Sequence, residues 1–308
     1  MSADTVRGVA EAALGWASGR RLEFRLDDTA LDAATDVNRT WKPLGELALA
    51  CVAVRDRTRL GENLHELACD LLAFAWEQTR RGERFLDLQR LEPWATYPLE
   101  VYAPFSSAGL RHPGYEEFLR AVVPTRSWRR TEQLPNRRLA IRNAERRGGQ
   151  PPSDAASEPL GRTWLGGLPE PWAFERMAGY TATHVVFHLT DWGTDTGGVP
   201  PRLADYLETW LPAWLDTCLD DDHWDLACEL LAVAASLPQP PPRAPAEQAW
   251  ARVAEAQDAD GAIPEMGPGR RGRPVVRDFV NCYHSTLMAA FAAVLTLARL
   301  TEGQGAPA

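Results

Sequence analysis

The sequence predicts an all-α protein built of helical hairpins, and three observations carry that prediction. Apolar residues recur at i, i+3, i+4 and i+7 along most of the 308 residues. No segment alternates polar and apolar residues for long enough to read as a strand. Prolines and glycines cluster at 92–113, 148–161 and 238–245, between the periodic stretches.

Taken in order, residues 6–18 read as an amphipathic helix stopped by Gly19, and 31–37 as a short one. Thr40 is placed to cap a helix over 41–55, in which Leu44, Leu47, Ala48 and Cys51 share a face. Gly61 and Asn63 precede a strong helix over 64–80, with Arg80, Arg81 and Gly82 as a fitting C-terminus. The prolines of 92–113 predict ordered loop and short turns. Residues 115–122 form a short helix and 131–147 a polar, arginine-rich one. The segment 148–161 is the best candidate for a mobile loop or soft boundary in an otherwise single domain, 1–308. Pro171 opens a central helix expected to run to Asp191 and to stop at Gly193. Residues 202–218 and 223–237 form a helical pair, 246–257 a further helix, and 279–299 a long apolar helix, with 303–308 as a frayed tail.

Composition bounds the function. Hydrophobic residues are 45% and charged ones 24%, the balance of a soluble globular protein. A net charge of −9 argues against nucleic acid or an anionic membrane as partner. No apolar run is expected to reach the roughly 18–20 residues of a span, and no signal-peptide core opens the chain, so a cytoplasmic location is expected. The five cysteines form no C-x-x-C pair and read as small buried thiols. Four of the twelve tryptophans, Trp41, Trp164, Trp192 and Trp224, lie near proposed helix ends, where they can plug a core or wall a cavity. Walker, G-x-G-x-x-G, G-x-S-x-G and zinc-finger patterns are absent.

The most informative stretch is Tyr180-Thr-Ala-Thr-His-Val-Val-Phe-His-Leu-Thr-Asp-Trp-Gly193. On a continuous helix His184, His188 and Asp191 form one stripe, because positions i, i+4 and i+7 share a face. A second polar cluster, Asp278-Phe-Val-Asn-Cys-Tyr-His284, opens the last helix. The two are expected to meet in a pocket lined by Tyr180, His184, His188, Asp191, Trp192, Asn281, Tyr283 and His284. His184, His188, Asp191, Tyr283 and His284 are the catalytic candidates; Tyr180, Trp192 and Asn281 are the substrate-binding ones. Three readings stay open. His184, His188, Asp191 and His284 are of the residue types and spacing that hold Zn²⁺ or Fe²⁺. The same groups can move protons without a metal. Or the histidines are core residues bonded to backbone or threonine. Asp278 reads first as a helix cap. Arg270–Arg273 with Arg277 could hold an anion, although a solvated loop is the plainer reading. The basic run at 137–147 is a docking patch for a partner protein or a salt-bridged helix face.

Two further patterns bear on architecture. The string L-A-C-[DE]-L-L-A occurs at 67–73 and again at 226–232, an echo that would mark repeated hairpins. The helix end Gln257-Asp-Ala-Asp-Gly261 resembles the Q-x-x-D-G repeat of the α/α-toroid group, which holds terpenoid cyclases, prenyltransferase β subunits and lanthionine cyclases. The resemblance covers about residues 200–300 and implies a toroid in which Gln257 and Gly261 tie helix ends together. The D-x-D-D motif and the Cys-His-Gly string of its cyclases are missing. The strings T-H-x-x-F-H-L-T-D-W-G and Y-H-S-T-L also look like an uncharacterised streptomycete helical family found beside natural-product genes. The resulting expectation is a tailoring enzyme of specialised metabolism, cyclising, eliminating or isomerising a small molecule or modified peptide. The alternative is a non-catalytic helical scaffold or peptide-binding protein.

Overall fold

The computed structural model describes residues 2–32, 35–153, 155–239 and 243–304, and its helices pack on one another in pairs. Fourteen α-helices and no strand occur among the described residues. They are α1 Ala3–Gly19, α2 Trp41–Arg57, α3 Asn63–Gln78, α4 Glu83–Leu91, α5 Tyr97–Ser107, α6 Pro113–Val122 and α7 Arg126–Arg130. There follow α8 Pro135–Arg147, α9 Ser157–Leu160, α10 Arg176–Leu189, α11 Pro201–Asp220, α12 Trp224–Ser236, α13 Arg243–Ala256 and α14 Phe279–Gln304. The protein is all-α, as the periodicity predicts.

Six helices close on themselves: α2 packs on α5, α5 on α8, α8 on α10, α10 on α12, α12 on α14, and α14 back on α2. Several of the others pack against these six. Helix α3 lies on α2, α1 spans α3, α13 and α14, and α11 and α13 cover α12. The buried apolar residues form one continuous cluster from Val6 to Leu295.

The pattern of apolar residues explains which helices are inside. Every residue of α12 is buried, and it is apolar all round except for Asp225, Glu229 and the terminal Ser236. Helix α14 packs against α1, α2 and α12 at once, and its middle, 287–295, is apolar throughout for that reason. Its segment Phe279–Glu302 is 24 residues long with mean hydropathy 1.3, enough to cross a bilayer by length and composition. The expectation that no run reaches that length is corrected here. Of its most apolar window, 78% is buried inside the protein.

The proline-rich segment departs most from the sequence reading. It contains α5, a ring helix, rather than loop alone. Pro98 stands in the first turn, where a missing N–H breaks no bond, and Pro104 falls in the last turn. Within the described part of 148–161, Gln150 is buried, Ser153 N–H donates to Glu145 at 2.7 Å, and α9 follows. The echo of L-A-C-[DE]-L-L-A joins unlike positions, since α3 is an outer helix and α12 an inner one. Asp70 is exposed where Glu229 is buried. Gln257 donates to the carbonyls of Gly261 at 2.9 Å and Val9 at 3.2 Å, tying the end of α13 to α1. Gly261 has φ +95°, and a Cβ there would come within 2.2 Å of the Ala12 carbonyl oxygen. All five cysteines are free thiols. The tail from 305 lies outside the described residues, as do 240–242 of the predicted break.

Candidate functional site

Helix α12 supplies the site's two most buried charges. Asp225 and Glu229 are four residues apart and share a face; Asp225 stands in the first turn, where the helix dipole favours a carboxylate. From α10, the Tyr180 hydroxyl donates to Asp225 Oδ2 at 2.6 Å. One turn on, the Thr183 hydroxyl donates to Glu229 Oε2. His184 Nδ1–H donates to the Tyr180 carbonyl at 2.7 Å, which leaves Nε2 as its proton-accepting nitrogen. His184 Nδ1 also stands 3.8 Å from Glu229.

His284, in the second turn of α14, lies at the centre of this group. Its Nδ1 is 2.9 Å from Glu46 Oε2 of α2. Its Nε2 is 3.2 Å from Glu229 Oε1 and 3.4 Å from Asp225 Oδ1. Glu46 is also 3.7 Å from Lys42 Nζ. Helices α2 and α12 thus meet the imidazole carried by α14, and α10 holds the two α12 carboxylates from behind.

The cluster forms a wall of a cleft of about 900 Å³, bordered by Tyr180, His184, Asp225, Glu229, Tyr283 and His284. A second hollow of about 480 Å³ shares Lys42 and His184 with it. That hollow is walled by α5 and α8 residues, among them Tyr97, Val101 and Ala140, and ends at His188 and Trp192.

Burial and neighbours shift the site's ionisable groups in opposite directions. Burial pushes the Asp225 carboxyl up to about 6; His284 opposes this and Glu229 adds to it. Burial also opposes the charge of Glu229, but His184 and His284 outweigh it and hold that carboxyl below its usual range. For His284 burial disfavours the cation, and the carboxylates of Glu46 and Asp225 reverse this, raising it well above an ordinary histidine. Glu46 is lowered in spite of burial by His284 and Lys42. The Tyr180 and Tyr283 hydroxyls are raised, by burial first and then by Asp225 and Glu46 respectively.

The structure brings Tyr180, His184, Tyr283 and His284 to one cleft, as the two sequence clusters predict. It does not bring Asp191 there. Helix α10 ends at Leu189, and Asp191 and Trp192 take left-handed angles of φ +52° and +57°. Asp191 therefore leaves the predicted stripe; its Oδ1 accepts from Asn143 Nδ2 at 2.8 Å and stands 3.2 Å from Arg146. The helix also begins at Arg176 rather than Pro171, which opens a separate single turn, Pro171–Ala173. His188 faces the second hollow, its ring 6.2 Å from that of His184, and its Nδ1 is buried without a hydrogen bond. Trp192 stacks on Phe187 at 5.1 Å and meets His188 edge-on at 5.7 Å. Asn281 borders the cleft, but its amide donates to Asp278 Oδ1 at 2.7 Å, and the same oxygen caps α14 by accepting from Asn281 N–H at 2.9 Å.

The basic runs are engaged within the chain. Arg137 pairs with Glu100, and Arg147 donates to Ser107. Arg270 pairs with Asp220, Arg273 donates to the carbonyls of Gly267 and Asp221, and Arg277 pairs with Asp258. Sequence reading passed over Glu46, Asp225 and Glu229. The available signal was two acids four residues apart in the otherwise apolar 224–236; Glu46, in a helix of mixed polarity, offered none.

Residues 10–294 match the model of a family described as a domain of unknown function (DUF6895). No curated protein and no solved structure matches the chain.

Proposed function

This protein belongs to the DUF6895 family, and from its geometry we propose that the cleft is the active site of an enzyme that moves protons on a small molecule or modified peptide. The observation that carries the reading is the convergence of Glu46, Asp225 and Glu229 on His284 at the wall of a cleft large enough for a ligand. Packing three carboxylates into one part of a core costs stability, and such arrangements concentrate at functional sites. His184 offers Nε2 as a base at the junction of cleft and hollow, with its tautomer set by the Tyr180 carbonyl. Tyr180 and Tyr283 offer hydroxyls beside it. Removing a proton at one carbon and returning one elsewhere covers isomerisation, elimination and cyclisation. The hollow running to Trp192, with Val101, Ala140 and Ala144 on one wall and Glu100 and Arg137 among its charges, suits a substrate arm of mixed polarity. The closed ring of six helices supports reading the fold as an α/α-toroid with the site at its centre.

The test is genetic and chemical. Deleting the gene in its native host should make a precursor accumulate and a product disappear, and the wild-type gene should reverse both. His284→Ala and Glu229→Gln variants that fold normally should fail to restore product, by at least about a hundredfold, the scale of one acid–base group. Full restoration by both variants would show that the protein acts as a scaffold or peptide binder and not as a catalyst.

A further inference from the structure

The three inward atoms of the cluster are arranged as ligands. Asp225 Oδ1, Glu229 Oε1 and His284 Nε2 all lie within 4.8 Å of one another. Two of the separations are 3.2 and 3.4 Å. Ligands held about 2.0–2.2 Å from a first-row dication stand roughly 3–3.6 Å apart when adjacent. Each residue has its other polar atom tied back by a neighbour. Asp225 Oδ2 takes the Tyr180 hydroxyl, Glu229 Oε2 takes that of Thr183, and His284 Nδ1 faces Glu46. Outer partners of this kind orient metal ligands, and a carboxylate behind the far nitrogen of a histidine is their commonest form. Independently, Asp225 Oδ1 is buried with no hydrogen-bond partner, in a side chain only 6% exposed. When ionised it can only accept, and the nitrogen of His284 stands 3.4 Å away, beyond a good hydrogen bond. A cation among the three atoms, taking the place of the His284 Nε2 proton that is released on binding, supplies what that oxygen lacks.

We infer that Asp225, Glu229 and His284 form a binding site for one divalent first-row cation such as Mn²⁺, Fe²⁺ or Zn²⁺, with positions left open towards the cleft. One nitrogen and two carboxylate oxygens suit these ions better than softer ones. This ligand set keeps only His284 of the residues that spacing alone suggested. His188 faces a different hollow, Asp191 has left the helix, and His184 Nδ1 is committed to a carbonyl. The inference stands on this geometry and does not need the protein to be an enzyme.

The experiment uses the full chain, with any affinity tag removed, stripped with a chelator and titrated with Mn²⁺, Zn²⁺ and Co²⁺ by calorimetry and Co²⁺ absorption. One ion per chain is expected, with a rise in melting temperature. Asp225→Asn and His284→Ala should weaken binding at least about a hundredfold, and Tyr180→Phe roughly ten- to a hundredfold. His188→Leu should leave it unchanged. Where a ligand variant fails to fold, Tyr180→Phe and the metal dependence of wild-type melting decide the matter. A wild-type protein that takes up no stoichiometric ion and melts identically with and without chelator overturns the site, whatever the genetic test returns. So does binding that survives Asp225→Asn but is lost in His188→Leu.

Discussion

His188 shows how a single residue can look functional and carry a structural cost. Its Nδ1 is sealed without a partner, and burial, then His184 and Arg137, push its pKa well below the ordinary value of 6.5. The folded chain therefore keeps it neutral where the unfolded chain takes up a proton. Below about pH 6.5 the unfolded state binds more protons, so stability falls as pH falls, by up to about 1.4 kcal/mol per pH unit until the folded pKa is reached. His188→Leu removes both the orphaned nitrogen and this proton uptake. The variant should be about 1 kcal/mol more stable near neutral pH and should lose less stability between pH 6.5 and 5, as read by urea unfolding across that range. A variant that is less stable at every pH would show that the ring has a partner that matters. At the residue scale Tyr180, His184, Tyr283 and His284 are recognisable from the sequence because polar groups are rare in apolar helices. Glu46 is not, because a carboxylate on a mixed helix is usually solvated.

The end of α10 decides what the site contains. A helix two residues longer would have kept Asp191 in the stripe with His184 and His188. Instead Thr190 turns the chain, its hydroxyl accepting from Gly193 N–H at 3.1 Å, and Arg57 donates to the Gly193 carbonyl at 3.0 Å. Gly193 has φ +75°, and a Cβ there would fall 2.8 Å from Leu295 and 2.9 Å from the Ser236 hydroxyl. Both the dihedral and the close approach of α12 and α14 require glycine. Gly193→Ala should cost about 1–3 kcal/mol in urea unfolding. Because Tyr180 and Thr183 on α10 hold the Asp225 and Glu229 carboxylates, metal affinity or product formation should fall further than stability alone predicts. Full retention of stability would mean that the turn is free to relax. A sequence window shows the glycine and therefore the stop, but not the preceding two residues in left-handed conformation, which depend on what α10 packs against.

At the scale of the molecule, α14 closes the ring and joins the site to the core. Phe291 is 1% exposed and meets Phe187 edge-on at 5.8 Å and Trp192 at 6.0 Å, linking α14 to the wall of the second hollow. Phe291→Ala should cost about 3–5 kcal/mol. Far-UV circular dichroism and tryptophan fluorescence should report one shared transition, since the apolar cluster is continuous from Val6 to Leu295. Two separated transitions would divide the chain into independent units.

What the sequence determined by itself was the all-α class, the course of most helices, and the two stretches that supply Tyr180, His184, Tyr283 and His284. Those follow from local periodicity and from polar residues in apolar surroundings, which any window of the chain displays. The tertiary structure alone decided that Glu46, Asp225 and Glu229 surround His284, and that Asp191 does not. Asp70 and Glu229 occupy the same place in nearly identical strings, yet one is in water and the other in the core. Whether a carboxylate meets solvent or an imidazole depends on which helix is packed across from it, and that partner is hundreds of residues away in the chain for His284 and Glu46.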